Sequence, residues 1–275
     1  MSDVSVIRLN NGVEIPQLGF GVFQVPPAET AQIVRTAFDA GYRHIDTAQG
    51  YANEEGVGQA IKESGLARDE IFVTTKLANP RQGYDEALRA FDESLQKLGL
   101  DAVDLFLIHW PRAFAGQFVE TWKAFEKIAS DGRARAIGVS NFQVPHLERL
   151  AAETGTVPAV NQIELHPYLP QTVLRAYHRQ HGIATEAWSP IGKGRDLLGE
   201  KIVVELAEKY GKTPAQVVLR WHLQLDNIVF PKSVTPSRIK ENTEIFDFEL
   251  SADDVATIST LENGTRLGPD PETFG

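Results

Sequence analysis

The alternation of apolar and polar side chains divides this chain into a repeating unit. Short apolar runs lie near residues 18–20, 43–46, 71–76, 104–109, 135–140, 159–163, 183–188 and 228–231. Their length and composition predict strands. Helical patterns fill the intervals. In residues 84–98, for example, Ala87, Phe91, Leu95 and Leu98 recur at steps of three and four, forming one apolar stripe. The first residues behave differently. Residues 5–15 alternate around Asn11-Gly12, a hairpin signal, and predict Val6–Leu9 paired with Val13–Ile15 as a cap on one end of the fold.

Helix ends are punctuated regularly. Gly41, Gly65, Gly99, Gly132, Gly155, Gly182 and Gly211 each follow a helical pattern, where glycine accepts the left-handed conformation that stops a helix. Thr213-Pro214 and Thr235-Pro236 predict helix starts, a capping hydroxyl before a proline. Ser251-Ala252-Asp253-Asp254 opens an extra helix at the C-terminal end. Eight strands alternating with helices imply parallel pairing, because each crossover needs a helix. The expected fold is a (β/α)8 TIM barrel, one domain over residues 1–275, with the N-terminal hairpin and the C-terminal helix added. An open dinucleotide-binding sheet is disfavoured. Leu18-Gly19-Phe20-Gly21-Val22-Phe23 lacks the third glycine and the prompt helix of that fingerprint, and Gly56-Val57-Gly58 falls inside a helical pattern. The long connection 189–213 with Gly192, Gly194 and Gly199 is expected to be functional, and the tail 263–275 irregular.

Composition narrows the partners. A hydrophobic fraction of 42% suffices for a large core, and 37 acidic against 27 basic residues argue against nucleic acid and anionic membranes. There is no cysteine, so disulfides and thiolate chemistry are impossible. Met1-Ser2-Asp3-Val4 carries no charged leader or apolar segment, and no run approaches a membrane span. A soluble, cytoplasmic monomer is expected.

Three strands end in chemically useful side chains. Asp46 closes the run 43–46, Lys76 the run 71–76 and His109 the run 104–109, while Tyr51 follows Asp46 by five residues. In a parallel barrel these ends share one rim. A carboxylate, an ammonium, an imidazole and a phenol gathered there make a proton-donating site. Tyr51 is the candidate general acid. Lys76 is expected to lower its pKa from the usual value of about 10, against the opposing effect of burial, and Asp46 to keep Lys76 charged. The residues alone leave a second reading open: Asp46–Lys76 as a structural ion pair with Tyr51 packed on it, and His109 as a hydrogen-bonded core residue. Phe23, Trp110 and Trp188 are expected to wall a pocket, and Trp122 and Trp221 to lie in the core. Glu164-Leu165-His166 places two potential metal ligands on one strand face, but the His-x-His of metallohydrolase barrels is missing, and no metal is expected.

The strings GYRHIDTAQGYANEEGVGQAI, TTKL, LFLIHWP, IGVSNF, VNQIELHP and FPKSVTPSRIKENTEIFDFEL, in this order, resemble the motifs of the aldo-keto reductases. The likeness spans nearly the whole chain and is greatest to the bacterial branch that includes 2,5-diketo-D-gluconate reductases. The resemblance implies reduction of aldehydes and ketones, including dicarbonyls or keto-sugars, by hydride from NADPH. It gives Tyr51 the role of acid beside Asp46 and Lys76, and His109 that of holding the substrate carbonyl. It implies that Ser140, Asn141 and Gln162 bind the nicotinamide carboxamide, with Trp188 stacked on the ring where many relatives have tyrosine. Ser189, Pro190 and Ile191 would begin a loop over the pyrophosphate. Lys232, Ser233, Val234, Thr235 and Arg238 would hold the 2′-phosphate, and Glu241 and Asn242 the adenine. The Glu164–Pro167 string occurs in the family without metal. Two departures stand out: residue 78 is alanine where this branch commonly has tryptophan, and the tail is short. Some relatives are regulatory subunits of potassium channels. The complete Asp46–Tyr51–Lys76–His109 set, and a chain beginning without an extra N-terminal segment, favour a reductase instead.

Overall fold

The computed structural model describes residues 4–194 and 196–274. Met1, Ser2 and Asp3 of the leader reading, Arg195 of the long connection and Gly275 of the tail lie outside the described residues. The chain opens with the hairpin β1 (Val6–Arg8) and β2 (Glu14–Pro16), paired antiparallel as Asn11-Gly12 predicts. Ile15 and Leu9 from this hairpin pack with Phe72, Leu105, Leu107, Val160 and Phe230, and so plug the barrel interior from one end.

Eight strands build the barrel: β3 (Phe20–Gly21), β4 (His44–Asp46), β5 (Phe72–Leu77), β6 (Val103–Ile108), β7 (Ala134–Ser140), β8 (Val160–Glu164), β9 (Ala184–Trp188) and β10 (Ile228–Val229). Each pairs in parallel with the next. A parallel bridge from Leu18 to Val229 brings β10 back to the entry of β3 and closes the ring. At this seam the strands are shorter than the apolar runs 18–20 and 228–231 suggest.

The helices are α1 (Pro27–Asp39), α2 (Glu54–Glu63), α3 (Tyr84–Leu98), α4 (Phe118–Ser130), α5 (Val144–Glu153), α6 (Thr172–His181), α7 (Lys201–Tyr210), α8 (Pro214–Gln224), α9 (Pro236–Glu241) and α10 (Ala252–Ser259). Strand residues alternate between the barrel interior and this outer layer. On β6, Leu105 and Leu107 face inward, whereas Phe106 packs outward between Phe91 of α3 and Phe125 of α4. Trp122 and Trp221 are fully buried, as expected. Gly58 lies within α2 because a Cβ there would overlap the Leu98 carbonyl of α3.

Two punctuation readings need correction. Gly155 is not left-handed: α5 ends through Thr154 in an extended conformation, φ −137°. Thr235 precedes Pro236 at the start of α9 but makes no side-chain cap, unlike Thr213 and Ser251, which accept from Gln216 N and Asp254 N. Among the described residues no helix is long and apolar enough to cross a membrane.

Candidate active site

The strand ends deliver their polar side chains to one rim. Lys76 Nζ donates to Asp46 Oδ1 at 2.6 Å and to the Thr47 carbonyl at 3.0 Å. Both side chains of the pair are withdrawn from water. Tyr51 ends a 3₁₀ turn, Gln49–Tyr51, and Ala52 follows in the left-handed region at φ 56°. Its half-buried ring lies 5.1 Å from Phe23 and 5.7 Å, edge-on, from His109, with Lys76 Nζ 5.2 Å from its centroid. His109 stands one residue beyond β6. All four candidate catalytic residues therefore gather as the sequence predicts.

Two neighbours missed by sequence reasoning fix the Tyr51 turn. Gln49 donates to Ala90 O at 2.6 Å and Ser94 Oγ at 2.9 Å, and accepts from Ala78 N at 2.8 Å. Buried Asn53 accepts from Thr47 Oγ1 and donates to Val22 O and Val25 O. A signal was present, amide side chains at both ends of the strand-to-helix passage, but such residues are also ordinary turn formers.

The electrostatics differ from the sequence expectation at Tyr51. Burial is the largest influence and raises the phenol above its usual pKa; the Lys76 charge, the next largest, lowers it without prevailing. Tyr51 thus keeps its proton throughout the neutral range. Burial would lower the Lys76 pKa, but Asp46, Tyr51 and Glu186 together hold it above the ordinary value. His109 is pushed down to about 3 by burial and by Lys76, so its imidazole is neutral.

A second layer lies beneath. Gln162 Nε2 donates to Asp46 Oδ2 and to Glu186 Oε2, both at 2.9 Å. Burial, followed by the charge of Asp46, raises Glu186 to about 8. Sequence reasoning overlooked Glu186, since a single acid within an apolar strand carries no motif. Ser140 Oγ donates to Gln162 O, and Asn141 Nδ2 to His109 O and Ser140 Oγ. Asn141 Oδ1 accepts from Trp188 Nε1 at 2.8 Å, which fixes the indole plane. Trp110 lies 6.4 Å from Trp188, the two rings tilted against each other.

Farther along the rim, Ser189 adopts φ 52° and the Pro190 carbonyl accepts from His222 Nε2 at 2.9 Å, anchoring the segment that leads into Ile191. Lys232, Val234, Thr235 and Arg238 are exposed and Ser233 half-buried on the turn from β10 into α9. Glu241 Oε1 accepts from Thr213 Oγ1 at 2.7 Å, and Asn242 is buried beside it. Glu164 and His166 bond to each other at 2.9 Å. Among the described residues no cluster of three His, Asp or Glu could hold a metal.

The closed parallel barrel carries an acid, an amine, an imidazole and a phenol on its C-terminal rim, the face where barrel enzymes place their active sites. The Aldo/keto reductase family model matches residues 17–201 and 195–263, and the chain belongs to that family. It is 58% identical to an aldo-keto reductase of Mycolicibacterium smegmatis, over 98% of this chain and 97% of the relative. It is 51% identical to methylglyoxal reductase DkgA of Yersinia pestis, over 98% and 97%. Among solved structures, a mutant of Gox0644 in complex with NADPH superposes with a TM-score of 0.96 at 49% identity, covering 100% of both chains.

Proposed function

We propose that this enzyme reduces small aldehydes, ketones and dicarbonyls with NADPH, with Tyr51 as general acid. The observation that carries the reading is the buried Asp46–Lys76 pair set against a protonated Tyr51 and a neutral His109. A neutral imidazole can donate one N–H to a carbonyl oxygen, orienting it toward the phenol. Tyr51 transfers its proton to that oxygen as negative charge develops there. The Lys76 ammonium, held charged by Asp46, stabilises the phenolate left behind. Trp110, Trp188 and Phe23 exclude water around the carbonyl.

The residues fit a nicotinamide dinucleotide phosphate, which supplies the hydride when bound. Both Nε2 hydrogens of Gln162 are committed to the side-chain oxygens of Asp46 and Glu186, leaving its Oε1 to accept from the carboxamide. Ser140 and Asn141 hold the network around that amide and the Trp188 plane. Ser189, Pro190 and Ile191 lead into the covering loop. Lys232 and Arg238 form no ion pair among the described residues and are free to meet a phosphate, with Ser233, Val234 and Thr235 between them and Glu241 and Asn242 at the base. The relatives named above support a small dicarbonyl such as methylglyoxal as a substrate.

Tyr51→Phe tests the reading. With methylglyoxal and NADPH, turnover should fall by about 10²–10⁴-fold, as for a lost general acid, while NADPH binding measured by fluorescence stays near wild type. Retention of half the activity would remove Tyr51 from the role.

A further inference from the structure

The segment after α10 folds back across the rim and converges on Glu164 at the end of β8. Leu267 N–H donates to Glu164 Oε1 at 2.5 Å and Gly268 N–H to Oε2 at 3.0 Å; Arg266 Nη1 lies 3.6 Å from Oε2. His166 Nε2 donates to Oε1 at 2.9 Å, while its buried Nδ1 meets no partner among the described residues. Every partner of this buried carboxylate is a donor. Burial alone would raise the Glu164 pKa, but the hydrogen bonds from His166, Leu267 and Gly268 prevail and hold it below the ordinary carboxylate value. From the outer side Lys193, in the loop after β9, donates to Leu267 O at 2.8 Å. The peptide group joining Leu267 and Gly268 is therefore gripped from both sides, its N–H by Glu164 and its carbonyl by Lys193. Beyond it, Gly268 lies so close to Trp188 that a methyl group would overlap the indole. Phe274 packs edge-on against Trp110 at 4.6 Å.

We propose that Glu164 is a positioning residue whose buried carboxylate clasps Arg266–Gly268 across the barrel rim, seating Trp188 through Gly268 and closing the substrate pocket with Phe274 on Trp110. The pocket part rests on the function proposed above; the clasp does not. Much of the tail's remaining hold is modest: Asn263 N and Gly264 N both donate to Tyr168 O, and Thr273 N and Phe274 N to Asp270 O. Removing the carboxylate charge should therefore free it. Glutamine is nearly isosteric but would turn an N–H₂ toward one of the two backbone N–H donors.

Trypsin reads the clasp directly, because its target bond Arg266–Leu267 contains the N–H that Glu164 holds. In the native full-length protein, Glu164→Gln should speed cleavage after Arg266 by at least tenfold, with other cuts unchanged. The KM for a bulky apolar aldehyde should rise severalfold relative to that for methylglyoxal. An unchanged Arg266 cut overturns the clasp, and a selective cut with an unchanged KM ratio overturns its role at the pocket. If every cut accelerates alike, the fold has been lost and Glu164→Asp, which keeps the charge but shortens its reach, decides: selective cleavage after Arg266 supports the clasp, and unchanged cleavage overturns it. Selective cleavage in a protein that reduces no carbonyl would sink the proposed function and leave the clasp standing.

Discussion

Lys76 Nζ rests 2.6 Å from Asp46 Oδ1, with 0% of the lysine side chain and 6% of the aspartate exposed. Removing one member of such a pair leaves an uncompensated buried charge, at a cost of about 3–5 kcal/mol. Lys76→Met should therefore lower unfolding stability by that order. The double variant Asp46→Asn/Lys76→Met should recover most of it while remaining inactive. Urea melts of the three proteins measure this, and equal stability for the single and double variants would deny the charge argument.

Glu186 gives stability a pH dependence. Its folded pKa of about 8 lies above the unfolded 4.5, so the folded state binds the extra proton. Its contribution is fully present below pH 4.5 and is lost as pH rises through 8. Glu186→Gln keeps the acceptor for Gln162 and has no proton to lose. From pH 5 to 8 the wild type should lose on the order of a few kcal/mol relative to the variant. Melts across that range that run parallel would count against a protonated Glu186.

Arg238 is expected to discriminate between cofactors. NADPH and NADH differ by one phosphate, and a charge-assisted hydrogen bond contributes roughly 1.5–3 kcal/mol. Arg238→Ala should weaken NADPH binding by about tenfold to a hundredfold, leaving NADH nearly as before. Fluorescence titration of both cofactors decides the matter; equal weakening would move the phosphate site elsewhere. The protein's formal charge of −10 sharpens the requirement, because its overall field repels an anion.

Local chemistry was the legible part of this molecule. Asn11-Gly12 forecast the hairpin, the apolar runs located the strands, and Asp46, Lys76 and His109 stood out because strand ends share a rim. What stayed hidden depends on partners distant in the chain. The Tyr51 pKa follows from burial that no motif displays. Glu164 and His166 are close in sequence, yet the carboxylate's further partners lie 103 and 104 residues downstream. Gly155 broke the helix-stop pattern because an extended Thr154 already turns the chain out of α5.

The seam of the barrel bears on synthesis. Strand β3 is synthesised early, but its neighbour across the closure is β10, through the bridge of Leu18 to Val229. Until residue 229 has left the ribosome, the growing sheet presents two open edges, each a template for another chain. Completion is thus a late, long-range event, and a nascent chain stalled within α8 should be the species most in need of a chaperone.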